Sequence, residues 1–378
     1  MHRPIVHICT VPTPYRNAEW DTAAAGVGAE QVALIFVNAV HDTACWRPQF
    51  PRLCPYYCLD SPPELNGVPG AQLGDLLARL DPRAVIVSGY LQPAYRQTLR
   101  WCLARGVPYC LRSASSIWSD DEKGYFRYLV RRWRLGGWVR RADRCLITGK
   151  FNRQFWQRYG MKPAQEGWFP QWIDYDNFLR GRELRSGDRA ALRRELGIDA
   201  PLTVFFAGRL LRYKRVHLLC EALLRLDDRV ALVVAGHGEQ EQPLRAAYQQ
   251  RLGDRLRLLG DLEPDELARW YAATDVYALP SGPEEIWGHV ITEAATVGMP
   301  ILCHARLGAA GDLLVDGHNG IAVNSHDPTE WARALTRLAD DPQRVVDMGT
   351  ASAELADRWR ERSNPADCVR QLLNAYPA

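Results

Sequence analysis

Residues 277–300 read YALPSGPEEIWGHVITEAATVGMP and contain the strongest indications of fold and function in the chain. The apolar run that leads into this stretch, 275–279, is typical of a short buried strand, and the proline-containing segment 280–283 ends it. Apolar residues with helical spacing follow until Gly298. The stretch therefore predicts a strand, a loop and a helix in succession, with Gly288 opening the helix.

Two glutamates flank the start of that predicted helix. Glu285 lies on the loop, and Glu293 lies eight positions later, inside the helix. The free amides and the positive dipole end of a helix N-terminus favour a bound phosphate. Glu293 is about 7 Å further along the axis at 1.5 Å per residue, where it can accept hydrogen bonds from vicinal hydroxyls, while Glu285 can accept from hydroxyls on the far side of the phosphate. A phosphate flanked by two hydroxyl-bearing rings describes a nucleotide sugar.

The segment resembles the E-x7-E signature of the family 4 retaining glycosyltransferases, which have the two-domain GT-B fold. The Pro-Ser pair before Glu285, the glycine three residues after it and the closing Gly-Met-Pro all match that family. An E-x7-E spacing alone is typical of two ordinary helix-flanking carboxylates, so the longer context carries the interpretation. The resemblance implies that Glu293 binds the ribose, that Glu285 contacts the donor sugar, and that the backbone between them meets sugar and phosphate. The residues so implied are Ile286, Trp287, Gly288 and His289.

Length and composition indicate a two-domain globular protein. The 378 residues exceed what one core usually supports. No apolar run approaches the roughly 20 residues of a membrane span, and the N-terminal segment is not typical of a signal peptide. The ten scattered cysteines predict buried thiols in the cytoplasm, and a net charge of +3 does not by itself indicate nucleic acid or an anionic membrane.

Short apolar runs alternate with longer helical periodicities in two series, which predicts two parallel, doubly wound α/β sheets. With the resemblance, this gives a GT-B fold, in which two Rossmann-like domains face each other across a cleft. The predicted strands are 5–9, 31–37, 84–87, 109–111 and 144–148 in the first series, and 203–207, 230–235, 256–260, 275–279 and 300–305 in the second.

The polar, arginine-rich segment 175–200 indicates the domain boundary. We predict an N-terminal acceptor-side domain over 1–178 and a C-terminal nucleotide-sugar-binding domain over 179–355. The resemblance further implies that the C-terminal helix within 356–378 packs back on the first domain.

A second motif of the donor site follows the strand 203–207. Gly208 ends this strand beside two cations, Arg209 and Lys214, an arrangement that suits a diphosphate. It resembles the family's G-R-L…K-G motif, with Arg215 in place of the usual glycine. Loop cations are by themselves usually just solvated, so the combination with the E-x7-E segment indicates function. We predict Arg209, Lys214 and Glu285 as the catalytic residues.

Two more loops complete the predicted donor site. Gly236 and Gly238 follow the strand 230–235, where glycines permit the close approach of a ligand. In the family this loop and the one that contains Leu262 lie at the nucleotide, although a structural turn explains both motifs nearly as well.

The first loop of the N-terminal half differs from the glycine-rich loop of many family members. Residues 11–17 read VPTPYRN, which predicts a stiff turn with Tyr15 and Arg16 at its tip. A subgroup of family 4 has a similar P-x-P-Y-R start. These side chains either face the acceptor or the diphosphate, or Arg16 simply caps local structure.

The family's histidine at the end of a central strand of this domain is missing. Its position falls near Arg112, and no histidine lies between 42 and 216. Either another group substitutes for it or none is needed. The acidic loop 115–122, which includes Asp120, binds acceptor hydroxyls or is an ordinary surface loop.

Residues 125–141, YFRYLVRRWRLGGWVRR, interleave basic and aromatic side chains. This pattern suits a helix at a membrane interface. A nucleic-acid patch is the weaker alternative because no nucleic-acid-binding signature accompanies it, and we predict no nucleic-acid partner. An ordinary Rossmann helix with its arginines outward explains the pattern slightly better than either.

Together with the resemblance, which implies retention, these features predict a cytoplasmic hexosyltransferase, with or without peripheral membrane contact. It would move a hexose-type sugar from a UDP-sugar or GDP-sugar to a hydroxyl of a saccharide, lipid-linked or small-molecule acceptor, in glycan, glycolipid or natural-product biosynthesis. No metal or cofactor is predicted, because Arg209 and Lys214 would neutralise the diphosphate. The alternatives are a GT-B epimerase or phosphorylase, and a non-catalytic GT-B scaffold that has retained donor binding.

Overall fold

The chain forms two compact units, each built around its own parallel sheet. The computed structural model describes residues 3–39, 49–59, 73–120 and 125–377, without the side chains of Ser119, Asp120, Tyr125 and Arg127. Unit 1 comprises Met1–Ile173 and Glu361–Ala378, and unit 2 comprises Asp174–Arg360.

Within the described residues of unit 1, the sheet has seven strands in the order β3-β2-β1-β4-β5-β6-β7, and all neighbouring strands pair in parallel. The order reverses between β1 and β4, and the pairing of β1 with both of its neighbours, β2 and β4, begins at Ile5. The strands are β1 Ile5–Cys9, β2 Val32–Phe36, β3 Tyr56–Cys58, β4 Ala84–Val87, β5 Tyr109–Arg112, β6 Arg144–Ile147 and β7 Glu166–Trp168.

Alternate residues of these strands pack on opposite faces of the sheet, as the pleat requires. Val6 and Ile8 join one apolar core, and Ile5 and Cys9 join the other. The helices of unit 1 are α1 Pro14–Val27, α2 Leu73–Leu80, α3 Pro93–Arg105, α4 Tyr125–Arg141, α5 Lys150–Arg158 and the last helix in chain order, α15 Pro365–Ala375.

Helix α15 closes one face of unit 1 from the far end of the chain. Its residues Cys368, Val369 and Leu372 are buried in the core that also holds Trp20 of α1. The two helices approach so closely that a Cβ on Gly26 would lie 2.3 Å from the Cβ of Ala366. The C-terminal residues are therefore an integral part of unit 1.

The first loop corrects one prediction. Residues 14–17, predicted within a stiff turn, form the first turn of α1, so Tyr15 and Arg16 lie on a helix. Pro14 is tolerated at the start of a helix because its missing N–H has no partner there in any case. The Thr13 hydroxyl caps the helix by accepting a 3.3 Å hydrogen bond from the Arg16 amide.

Unit 2 has a six-stranded parallel sheet in the order β10-β9-β8-β11-β12-β13. The order again reverses in the middle, between β8 and β11. The strands are β8 Leu202–Ala207, β9 Val230–Ala235, β10 Leu256–Gly260, β11 Val276–Leu279, β12 Ile301–His304 and β13 Gly320–Val323. The helices are α6 Tyr175–Ser186, α7 Arg189–Glu195, α8 Val216–Leu223, α9 Glu241–Leu252, α10 Pro264–Ala273, α11 His289–Val297, α12 Ala310–Leu313, α13 Pro328–Ala339 and α14 Pro342–Arg362.

Across the described stretches of the chain, no helix is both long and apolar enough to cross a bilayer.

Candidate functional site

The candidate site lies in unit 2, where the loops after β8 and β11 leave the sheet. The two strands are hydrogen-bonded neighbours, and the strand order reverses between them. In open α/β sheets, ligands bind outside the carboxyl ends of the strands at such a reversal. Gly208 and the cations that follow it come directly after β8, and the segment 280–288 comes directly after β11.

Lys214 and Glu285 form an ion pair across this reversal. The ammonium of Lys214 donates to Oε2 of Glu285, and their side chains are only 10% and 12% exposed. Lys214 ends a short 3-10 turn, Arg212–Lys214, that leads into α8, and its Nζ lies 5.3 Å from the centre of the Tyr213 ring. A cation and a carboxylate separated by 71 positions in the chain are thus held together where a ligand would bind.

A second ion pair joins the residue after Lys214 to the residue before Glu285. Arg215 contacts the Glu284 carboxylate with both terminal nitrogens, with a 3.0 Å bond from Nη1 to Oε2. Burial alone would raise the pKa of Glu284, but the Arg215 guanidinium lowers it below its usual value. Two consecutive ion pairs therefore tie the loop after β8 to the loop after β11.

Arg209 directly follows Gly208 and is exposed. The loop that carries it also meets the loop after β9, because the Leu210 amide donates to the His237 carbonyl over 2.7 Å. Arg209 and Lys214 are thus both placed on the short connection between β8 and α8.

Helix α11 begins as the sequence predicts, with Gly288 as its N-cap at a φ of 83°. This left-handed conformation favours glycine. The loop before the helix is held by the loop after β12. The Gly308 amide donates to the Glu285 carbonyl over 3.2 Å, and the Ala309 amide donates to the Trp287 carbonyl over 2.9 Å. The start of α11 is thereby fixed beside Glu285, and the amides of a helix N-terminus favour an anion.

Glu293 is almost completely buried within α11, with 3% of its surface exposed. Its Oε2 accepts a 2.9 Å hydrogen bond from the hydroxyl of Tyr271, which stacks on Tyr277. Burial and the nearby Glu293 carboxylate raise the pKa of Tyr277 well above its usual value. Glu293 is therefore anchored by a tyrosine, an arrangement that orients its carboxylate.

The side chain of Trp287 points into the core. It is 5% exposed and stacks on Trp359 with ring centres 5.0 Å apart, and its Nε1 donates to the Thr292 hydroxyl. Only the backbone of Trp287 is suited to the predicted ligand contact. Ile286 is exposed, and His289 starts α11 with a half-buried side chain.

Gly236 has a structural requirement of its own. Its φ is 113°, its amide donates to the Gly260 carbonyl over 2.6 Å, and an added Cβ would lie 2.2 Å from the Gly208 carbonyl oxygen. Gly238 is similarly crowded, 2.7 Å from the Leu210 carbonyl oxygen. Leu262 lies half-buried on the loop after β10. The glycines bring three loops together at the carboxyl edge of the sheet.

The four predicted acceptor-side residues all belong to unit 1. Tyr15 and Arg16 are half-buried on α1 after β1. Burial lowers the pKa of the Arg16 guanidinium, but the nearby Cys9 thiol and Glu19 carboxylate outweigh it and raise this pKa above its usual value. Arg112, at the end of β5, is buried and donates to both oxygens of Glu19 and to the Pro170 carbonyl. An acceptor contact by Arg112 would require this buried pair to break. The side chain of Asp120 lies outside the described residues.

Three features of the site were not predicted from the sequence. They are the Arg215–Glu284 pair, the support from Gly308, and the stacking of His304 on His326 at 4.7 Å between ring centres. The only available signal was Arg215 itself, which replaces a glycine of the family motif. Within the described stretches, no group of three or more His, Cys, Asp or Glu side chains is arranged to hold a metal ion.

Comparison with known families matches residues 188–361 to the family described as Glycosyl transferases group 1. The D-inositol 3-phosphate glycosyltransferase of Xylanimonas cellulosilytica is 36% identical over 220 residues, which cover 55% of this chain and 52% of that protein. The D-inositol 3-phosphate glycosyltransferase 2 of Catenulispora acidiphila is 31% identical over 233 residues, covering 58% of this chain and 53% of that protein. The chain thus spans about half the length of these curated relatives.

Solved structures match over nearly the whole chain. The Anabaena protein HepE, in complex with UDP and glucose, has a TM-score of 0.70 at 18% identity and covers 99% of both chains. The sucrose-phosphate synthase of Thermosynechococcus elongatus has a TM-score of 0.72 at 19% identity, covering 99% of this chain and 100% of that one. At such identities the likeness establishes the fold, and the fold is GT-B, as the sequence predicts.

Proposed function

We propose that this protein is a glycosyltransferase that uses a nucleoside diphosphate sugar as its donor, with the donor held by unit 2. The observation that carries the proposal is the pairing of Lys214 with Glu285 beside the start of α11, at the strand-order reversal of the sheet. This arrangement provides a cation and helix amides for a diphosphate and a carboxylate for sugar hydroxyls. The match of residues 188–361 to the group 1 glycosyl transferases supports it.

Charge distribution supports a diphosphate at this position. In the absence of an anion, Lys214 and Glu285 neutralise each other. A bound diphosphate offers Lys214 a second and more strongly charged partner, while Glu285 becomes available to a sugar hydroxyl. Arg209, exposed on the same loop, supplies the other cation. Because these cations neutralise the charge that develops on the leaving group, we propose a reaction that needs no metal.

The proposed chemistry is transfer with retention of configuration. The bond between the anomeric carbon and the diphosphate oxygen breaks, and the acceptor oxygen forms its bond to that carbon from the same face. The leaving phosphate oxygen takes the proton of the acceptor hydroxyl. The protein then contributes positioning and charge stabilisation, with Arg209 and Lys214 on the diphosphate, Glu285 on the sugar and Glu293 on the ribose.

We propose a UDP-hexose as the first donor to test, with a GDP-hexose second. A protein of the same fold was solved with UDP and glucose, and the relatives named above act on an inositol phosphate. These relatives favour a hydroxyl of a cyclic polyol or saccharide as acceptor, and phosphorylated polyols belong in the first panel. The nine described cysteines are all buried free thiols, which fits a reducing, cytoplasmic compartment.

The first test is thermal stabilisation of the purified protein by nucleoside diphosphates and nucleotide sugars, because a ligand that binds only the folded state raises the unfolding midpoint. We expect a shift confined to one base. No shift with any of them would overturn the donor-site assignment.

The second test is the release of nucleoside diphosphate from the stabilising donor, with and without an acceptor panel. Release that depends on an acceptor supports the transferase. Conversion of the donor without an acceptor would indicate an epimerase, and release that depends on inorganic phosphate would indicate a phosphorylase. Donor binding with no turnover across the panel would favour a non-catalytic scaffold.

A further inference from the structure

A basic groove lies on unit 1, between the start of α3 and the second half of α4. Its volume is about 740 Å³, and α4 is the helix in which basic and aromatic residues interleave. Five arginines line this basic groove: Arg96, Arg100, Arg134, Arg140 and Arg141. Among the described residues that line it, none is acidic. Such a concentration of guanidinium groups attracts phosphate groups.

An apolar stripe accompanies the basic groove along α4. Phe126, Leu129 and Trp133 are 77%, 42% and 78% exposed, and their spacing of three and four residues places them on one side of the helix. Leu91, which also lines the basic groove, is 68% exposed. Surface leucines occur singly in most proteins, but large aromatic and aliphatic side chains grouped beside a basic groove indicate an interaction site.

The core does not require these exposed residues. Leu135 and Val139 of the same helix are fully buried in the core of unit 1, so α4 is already anchored by another face. Arg131 also packs against the core, because its guanidinium lies 4.9 Å from the centre of the Phe155 ring. The basic groove and the apolar stripe are therefore features of the outer face of α4, additional to its packing.

We propose that this face binds the surface of an anionic phospholipid bilayer. Lipid phosphates would occupy the basic groove while Phe126, Leu129 and Trp133 enter the interfacial region, where amphipathic helices bind. A bilayer presents anionic headgroups and an apolar phase side by side, which matches both parts of this surface. A nucleic acid presents phosphates without an apolar phase and leaves the apolar stripe unexplained. The proposal concerns unit 1 alone and does not depend on the proposed transferase activity.

The test is co-flotation of the full chain with vesicles of phosphatidylcholine alone and of phosphatidylcholine with phosphatidylglycerol. We expect binding only to the anionic vesicles, weakened by added salt. Arg100→Glu combined with Arg134→Glu should lower the partition coefficient roughly 30-fold or more, since each basic residue near an anionic surface contributes about 1 kcal/mol. Trp133→Ser should lower it independently, with the charge unchanged.

The matched control combines Arg194→Glu with Arg251→Glu, two exposed arginines of unit 2. This variant has the same net charge as the first double variant, and we expect it to bind vesicles like the wild type. Circular dichroism of each variant establishes that it is folded. Equal losses in both double variants would overturn the site, because they would reveal a net-charge effect. Binding of single-stranded RNA with an affinity that Trp133→Ser leaves unchanged, without anionic-vesicle binding, would overturn it in favour of a nucleic acid.

Discussion

Lys214 and Glu285 each follow a strand end, and each is recognisable in the sequence from its neighbours. Their pairing is not, because the two strands become neighbours only through the crossover that reverses the strand order. Sequence patterns report local structure, whereas a contact over 71 positions depends on the topology of the sheet. A diphosphate at the proposed donor site would therefore compete with Glu285 for Lys214, which would couple the two residues.

Removing either of the two cations proposed to bind the diphosphate, Arg209 or Lys214, should slow turnover. We expect Arg209→Ala and Lys214→Ala each to lower kcat on the order of 100-fold, the scale of losing one preorganised charge partner in a transition state. Arg212→Ala, in which an exposed cation two positions before Lys214 is removed, is the control and should stay near the wild-type rate. Steady-state kinetics with the stabilising donor measure this. Near-normal rates for both Arg209→Ala and Lys214→Ala would contradict the assignment of these two cations to the diphosphate.

Arg215 occupies a backbone conformation that usually selects glycine, with a φ of 52°. A non-glycine residue there carries a conformational cost, and the pair with Glu284 is what its side chain adds. We expect Arg215→Gly to change the free energy of unfolding by less than about 1 kcal/mol, because relief of strain offsets the lost half-buried pair. The rate should fall roughly tenfold, because the loop that carries Glu285 loses the Arg215–Glu284 ion pair that positions it.

Urea unfolding and steady-state kinetics on the same preparation separate these two effects. Arg215→Lys retains a charge but not the two-nitrogen contact, and we expect an intermediate rate. A variant Arg215→Gly that is both stable and fully active would rule out a positioning role.

His304 should make stability depend on pH. Burial, followed by the neighbouring His326 and Arg215, lowers its pKa from 6.5 to about 4, while Arg306 acts in the same direction and Glu284 opposes it. Its Nδ1 accepts a 3.1 Å hydrogen bond from the Arg306 amide, which protonation would break. Between pH 6.5 and about 4 the His304 imidazole is protonated in the unfolded chain and neutral in the folded chain. The contribution of His304 to stability therefore falls as pH falls through this window, and it is constant above pH 6.5.

We expect His304 to contribute about 1 to 2 kcal/mol of destabilisation between pH 7 and pH 4.5, allowing for solvent screening. His304→Gln should flatten that part of the curve, as measured by urea unfolding at a series of pH values. The buried His7 of unit 1, whose pKa is also lowered, remains as a background that both proteins share. An unchanged slope in the variant would show that His304 does not carry the effect.

At the scale of elements, apolar run length decided what was predictable. The strands predicted at 5–9, 84–87, 230–235 and 256–260 are confirmed with those bounds. Strands β3 and β7 were missed because each has three residues, and β7 consists of Glu166, Gly167 and Trp168. Strand β13 was missed because it begins at Gly320, within a segment that reads as a turn. Short edge strands are formed by pairing with their neighbours and not by their own hydrophobic pattern.

The loop after β12 is the element that supports the loop carrying Glu285, and Gly308 is its closest point. An added Cβ would lie 1.9 Å from the Ile286 carbonyl oxygen. We expect Gly308→Ala to lower the free energy of unfolding by about 1 to 3 kcal/mol, the range for overpacking, and to reduce activity more than tenfold by displacing Ile286 and Trp287. Gly74→Ala is the control, since its Cβ would meet only ordinary contacts at 3.4 Å on helix α2, and it should be neutral or slightly stabilising.

Chemical denaturation and kinetics of the two alanine variants measure both effects. If Gly308→Ala had the same free energy of unfolding as Gly74→Ala and kept its activity, the contact between the loop after β12 and the loop that carries Glu285 would not be needed for activity.

At the scale of the whole molecule, the path of the chain distinguishes the two units. Unit 2 is one continuous segment, Asp174–Arg360, whereas unit 1 is completed only by Glu361–Ala378. Each unit has its own sheet and its own buried residues. We therefore expect calorimetry of the full chain to resolve two unfolding transitions, one for each unit.

The two transitions should respond to different changes. A nucleoside diphosphate that binds unit 2 should raise one midpoint and leave the other in place. Leu372→Ala removes buried contacts of α15 in unit 1. It should lower only the unfolding midpoint of unit 1, which the nucleotide leaves unchanged, by about 5 °C or more. Leu338 is also buried but lies on α13 of unit 2. Leu338→Ala should therefore lower only the nucleotide-sensitive midpoint. A single transition that both variants and the nucleotide shift together would mean that the units unfold cooperatively, because the folded state of each would then depend on the other.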